Sequence, residues 1–158
     1  MATLLGEYEC TLDQKGRIIL PAALKKRISP DAGNKFVINR GFESCLVLYP
    51  GDVWKTESAK IDRINIYNRK GRKFMRSFYR GATELELDAH NRLLIPKPLI
   101  LYAGIVKDIV LFAYANRIEV WAKDKYEEVL NIDPDEYDEL GEEVMDTNPQ
   151  KDLPDDVS

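Results

Sequence analysis

Gly6-Glu-Tyr-Glu-Cys-Thr-Leu-Asp-Gln-Lys-Gly-Arg-Ile-Ile-Leu-Pro-Ala-Ala-Leu24 returns 75 residues later as Gly81-Ala-Thr-Glu-Leu-Glu-Leu-Asp-Ala-His-Asn-Arg-Leu-Leu-Ile-Pro-Lys-Pro-Leu99. Seven of the nineteen positions are identical, where ordinary residue usage gives roughly one match at a fixed offset. After a shift of three residues the repeat resumes, pairing Val37-Ile38 with Ile109-Val110 and the run Cys45 to Tyr49 with Arg117 to Trp121. The chain therefore divides into a first repeat over residues 5–51, a helical connector over 52–80 and a second repeat over 81–123. A short helix over 124–132 and an acidic tail over 133–158 complete it.

Within each half the pattern reads strand, tight turn, strand, short helix, then two more strands. Asp13-Gln14-Lys15-Gly16 and Asp88-Ala89-His90-Asn91 are polar stretches between short extended runs, and each reads as a hairpin turn. Gly16 and Asn91 correspond, and these are the residue types that best tolerate positive φ; Asp13 and Asp88 can accept bonds from turn amides. All four are expected to shape the hairpins and to orient the arginine at the end of each turn. Pro21 and Pro96 suit the first position of a helix, with Ser29-Pro30 and Gly104 as its end. In the connector, Asp52 and Asn68 are candidate N-caps of two helices joined near Ile64-Asn65-Ile66, and Phe74, Met75 and Phe78 share a helical face.

Four short strands and one turn of helix cannot bury enough apolar surface alone. Two copies must share one core. The expected fold class is α+β, mainly β, with the two repeats intertwined as a pseudo-two-fold β-barrel that displays both hairpin turns in equivalent positions.

Composition narrows the function. With 158 residues, 44% of them hydrophobic and 32% charged, the chain is an ordinary globular protein rather than a disordered one. No run of about 18 apolar residues is present and the N-terminal ten residues lack a basic start and apolar core, so no membrane partner or secretion signal is expected. Cys10, Cys45 and the single His90 offer no four-ligand metal set and no disulfide framework, so neither metal nor cofactor is expected. The net charge of −4 conceals a division: residues 1–80 carry 16 Lys+Arg against 8 Asp+Glu, whereas residues 133–158 carry 11 acids and the single base Lys151. Charge placement sets the local field, so a pI of 5.2 does not exclude an anionic partner. The tail, with Pro134, Pro149 and Pro154, reads as poorly ordered.

The duplicated unit is Asp-x-x-x-Arg followed by apolar residues and Pro: Asp13 to Arg17 and Asp88 to Arg92. The run LDQKGRIILPAALKK resembles the hairpin of the SpoVT/AbrB swapped-hairpin, double-psi DNA-binding fold. Two such copies around a helical segment, with LVLYP ending the first, resemble the MraZ family over about residues 5–130. The resemblance implies a bacterial transcriptional regulator that binds double-stranded DNA at the promoter of a cell-division and cell-wall gene cluster. It further implies a cytoplasmic, nucleoid-associated protein assembled as a ring-like homo-oligomer.

Residue chemistry agrees with an anionic partner. Arg17, with Lys15 beside it at the lip of the hairpin, can reach phosphate oxygens or a guanine edge through two parallel hydrogen bonds. Lys25, Lys26 and Arg27 close the next helix with three more positive charges suited to a phosphate backbone. Arg92 is the second-repeat counterpart, expected to contribute less because His90, Asn91 and the lone Lys97 replace the first repeat's bases. Asp13 four residues before Arg17 also permits a plain surface ion pair. The basic run from Arg69 to Arg80 reads as a second nucleic-acid surface, a solvated face or a dock for an acidic tail. An enzyme is disfavoured by the absence of GxSxG, P-loop, GxGxxG and HExxH patterns. An architectural ring protein, or an RNA binder without promoter specificity, is the alternative; few aromatics interleave the bases, which disfavours single-strand stacking.

Overall fold

The computed structural model describes residues 3–146. Eight strands and six α-helices succeed one another in the described chain. The first half holds β1 (Leu4–Thr11), β2 (Arg17–Ile19), α1 (Ala22–Arg27), β3 (Lys35–Arg40) and β4 (Leu46–Pro50). The connector forms α2 (Gly51–Asp62) and α3 (Arg69–Tyr79). The second half repeats the order with β5 (Thr83–Glu86), β6 (Arg92–Leu94), α4 (Lys97–Ala103), β7 (Asp108–Ala115) and β8 (Arg117–Ala122). Helices α5 (Lys123–Leu130) and α6 (Pro134–Val144) end the described chain. Residues up to Tyr126 make one compact unit and those from Glu127 a second.

Strand pairing carries the organisation. Six strands form one antiparallel sheet in the order β1-β7-β8-β4-β3-β5, and β2 pairs with β6. Exchange every strand for its counterpart in the other repeat and the order reads the same in reverse. Each half thus donates its first strand to the third strand of the other: β1 lies on β7 and β5 on β3. Register agrees at the centre of the molecule. Ile18 faces Leu93, its counterpart at the 75-residue offset, and Val47 faces Glu119, its counterpart at the 72-residue offset.

The closed barrel expected from the sequence is corrected by this bonding pattern. The large sheet stays open, with β1 and β5 at its edges, and the β2–β6 ladder is separate. At three residues each, β2 and β6 are too short to bridge both edges.

One core nevertheless joins the halves. Ile18, Leu20 and Leu24 of the first repeat pack in the same buried cluster as Leu93, Ile95 and Leu99 of the second, with Leu46, Leu48, Ile118 and Val120 beneath them. Alternation along the short ladder comes from the two-residue period of a strand. Ile18 and Leu93 are fully buried, whereas Ile19 and Leu94 are 60% and 56% exposed.

Local chemistry departs from the sequence reading at several points. Pro21 and Pro96 are N-caps in extended conformation rather than first helical residues; their fixed φ suits either place. Asn68 caps α3 as expected, accepting from the amides of Lys70 and Gly71. Asp52 does not cap α2: the cap is Pro50, and Asp52 lies in the first turn with Oδ1 buried and unpartnered. Asp133 begins a helix in the stretch expected to be poorly ordered, accepting from the amide of Asp135 at 3.0 Å. Pro134, Asp135 and Glu136 occupy its first turn, where the missing N–H costs nothing and negative charge opposes the positive end of the dipole. Residues 147–158 of the expected tail lie outside the described residues.

Of the two thiols, Cys45 is buried and Cys10 half-buried. Loss of hydration pushes the Cys45 thiol up to about 12 and that of Cys10 to about 11, which keeps both protonated at neutral pH.

Candidate nucleic-acid interface

The two turns have the same hydrogen-bond geometry. In the first, the Gly16 amide donates to Asp13 O at 3.0 Å and the Asp13 amide to Arg17 O at 2.9 Å. In the second, Asn91 donates to Asp88 O at 3.0 Å and Asp88 to Arg92 O at 3.0 Å. Three residues lie between the closing pair, the last in the left-handed region: Gly16 at φ 83° and Asn91 at φ 62°. That is the hairpin loop in which a residue of positive φ succeeds a tight turn.

Each aspartate braces its arginine. Asp13 Oδ1 accepts from the Lys15 and Arg17 amides, both at 2.9 Å, and Oδ2 accepts from Arg17 Nε at 2.8 Å. Asp88 does the same for the His90 and Arg92 amides at 2.8 and 2.9 Å and for Arg92 Nε at 2.8 Å. The ion pair the sequence allowed is therefore present twice. It engages Nε only, so Nη1 and Nη2 of both arginines have no partner among the described residues and form a planar donor pair.

Hydrogen bonding sets the carboxylate pKa values. At Asp13 the Arg17 amide is the largest influence, and the carboxyl is held below its ordinary 3.8. At Asp88 loss of hydration opposes ionisation, but the bonds from Arg92 and His90 outweigh it and hold the carboxyl at about 2. Because the folded value lies below the unfolded one, this stabilisation is present above about pH 4 and is lost as pH falls towards about 2. Asp88→Asn should therefore flatten the acid limb of the stability curve over that interval, read by thermal melts at successive pH values. A variant melting curve with unaltered pH dependence would remove this role for Asp88.

Antiparallel register then brings the arginines onto one surface. Arg17 pairs with Leu94 and Ile19 with Arg92, and cross-strand partners share a face with residues two positions away. The outer face of the ladder presents Arg17, Ile19, Arg92 and Leu94, while Ile18 and Leu93 point into the core. The arginine side chains are 25% and 27% exposed, open at one end and braced at the other. Ile19 and Leu94 escape a reading of the sequence that sees an apolar trio; their signal is the two-residue alternation around Ile18 and Leu93.

Strand exchange also relocates the bases of α1. Lys25 Nζ donates to Asn91 Oδ1 at 2.6 Å, so Lys25 stands by the second turn rather than the first. The pseudo-symmetric position beside Gly16 is taken by Ile100 of α4, whose Cδ1 would lie 3.4 Å from a Cβ built there. Amide bonds from Leu20 to Asn91 O and from Ile95 to Gly16 O, both 2.8 Å, complete the same exchange. Lys15 thus flanks Arg17 in sequence, while Lys25 of α1 reaches Arg92's turn. Lys15, Lys25, Lys26 and Arg27 are all exposed.

An α+β chain of two homologous halves that exchange strands and present paired, carboxylate-braced arginine turns is a duplicated-hairpin protein. The profile of the family described as MraZ protein matches residues 3–77 and again 78–142. A relative from Christiangramia forsetii, named transcriptional regulator MraZ, is 44% identical over 146 residues, covering 92% of this chain and 94% of its own length. Relatives of the same name from Cytophaga hutchinsonii and Clostridium beijerinckii are each 43% identical, covering 92% and 90% of this chain and 96% of their own length. The chain belongs to the MraZ family of transcriptional regulators, and this membership places it outside the enzymes. No helix of the described residues is long and apolar enough to cross a membrane.

Proposed function

We propose that the protein regulates transcription by binding double-stranded DNA in a sequence-specific manner, with the outer face of the β2–β6 ladder as the reading surface. The observation that carries this is the duplicated turn in which an aspartate holds Arg17 or Arg92 by Nε at 2.8 Å. A guanidinium fixed at one edge, with its remaining N–H groups free, suits the paired acceptors of a guanine or two phosphate oxygens. Ile19 and Leu94 between the arginines offer apolar contact to a thymine methyl. Lys15 and Lys25 at the two turns, with Lys26 and Arg27 beyond Lys25, suit the flanking phosphates.

A single ladder covers few base pairs, so affinity comes from several subunits engaging evenly spaced short sites at once. A ring-like homo-oligomer on a promoter, associated with the nucleoid, fits that requirement and the family resemblance of the hairpins. The promoter of a cell-division and cell-wall gene cluster, which the resemblance of the paired hairpins implies, is the first to test. Selection of bound fragments from random duplex DNA tests the reading. Short motifs at a regular spacing are expected, with apparent affinity falling steeply as salt rises. Recovery of fragments without any shared motif would reject sequence-specific binding.

A further inference from the structure

Arg69, Lys70, Arg72, Lys73, Arg76 and Arg80 put six bases and no acid into twelve residues. On α3 and its C-terminal cap, Arg69, Lys73, Arg76 and Arg80 recur at i, i+4, i+7 and i+11, which lines them up as one stripe roughly 16 Å long. All four are exposed, and among the described residues none of them holds an ion pair. Arg72 is engaged elsewhere, donating from Nη1 to Ile66 O at 2.7 Å.

The other side of the helix is anchored. Phe78 stacks on Trp54 with ring centroids 5.9 Å apart, its carbonyl accepts from Asn39 Nδ2 at 2.6 Å, and Tyr79 donates to Asp62 at 2.7 Å. The stripe is thus turned outward. Its charges work against the helix that carries them. Like charges three and four residues apart repel, and Arg69 and Lys70 open the helix where the dipole is already positive, with no acid in the first turn. A run of like charges that costs local stability, with no ion pair among the described residues to offset it, points to a ligand outside the fold.

We propose that this stripe is a second polyanion-binding surface, separate from the paired turns, which takes the phosphate backbone of duplex DNA without reading its sequence. The inference rests on the proposed DNA-binding function and adds to it a non-specific contact. Cations recurring every turn along a straight, anchored line suit a regularly charged backbone. An acidic protein helix is a poorer occupant, because the exposed Phe74 lies off the line of charges and the stripe itself offers no apolar seat.

The test is the full chain carrying Arg69→Gln, Lys73→Gln and Arg76→Gln, which keeps helix-forming residues at all three positions. Anisotropy titrations over a salt series would use a random-sequence duplex and a duplex selected by the parent protein. The expected result is an unchanged or raised melting temperature, about tenfold or greater weakening on both duplexes, and a log–log salt slope smaller by about 2 to 3. Parent-like slopes and affinities on both duplexes overturn the inference. So does a variant that binds DNA normally but loses self-association in sedimentation, since the stripe would then serve an acidic segment of another copy. Arg17→Ala measured alongside keeps the two readings apart: loss of preference for the selected duplex in that variant, with no effect of the triple change, retains the hairpin reading and removes only this one.

Discussion

Alanine at both Arg17 and Arg92 is expected to abolish the proposed preference for a selected duplex over a random one, and either substitution alone to weaken specific binding to a similar degree. In the proposed complex each guanidinium would offer a two-bond contact of about 1–3 kcal/mol at every subunit engaged, so a multimer on repeated sites would lose more than one contact's worth. Anisotropy at fixed salt, with protein concentration held constant, reads the effect. Similar single losses are expected because the braces are alike, with Nε to carboxylate at 2.8 Å in both turns, and because Lys25 brings charge to the Arg92 turn. A silent Arg92→Ala beside a damaging Arg17→Ala would break the functional equivalence of the halves. Two silent variants would remove the ladder from the interface.

Leu93→Ala should cost about 2–5 kcal/mol of stability, whereas its neighbour Leu94→Ala should cost within about 0.5 kcal/mol. Leu93 faces Ile18 at the centre of the shared core and has no exposed surface, while Leu94 is 56% exposed. Truncating Leu93 leaves a cavity that both repeats line, and neither half can close it without moving the other. Denaturant titrations at one protein concentration compare the pair, since the proposed self-association would add to apparent stability. Equal losses at the two positions would mean that the outer face of the ladder is not free, and the reading surface would have to be sought elsewhere.

Where the sequence and the folded chain agree, the cause is short-range chemistry. Asp13 and Asp88, Gly16 and Asn91 reveal their turns because a carboxylate within reach of turn amides and a residue tolerant of positive φ act within five residues. Asn68 discloses a helix start for the same reason. Asp52 misleads because a helix can start earlier, with Pro50 as its cap, and leave the aspartate inside. The acidic segment after Ile132 misleads because charge density outweighs, in a compositional reading, the cap at Asp133 and the spacing of Tyr137, Leu140 and Val144.

The amino-acid sequence alone determined the duplication, the two arginine turns with their aspartates and the need for a common core, since identity at a fixed offset and a half too small to fold singly are properties of the chain itself. Which helix stands beside which turn, the outward facing of Ile19 and Leu94 with the arginines, and the open sheet follow from long-range strand pairing. The reason is strand exchange: β1 and β5 cross to the opposite half, so residues adjacent in sequence serve different turns, and no local pattern records which partner a strand will choose.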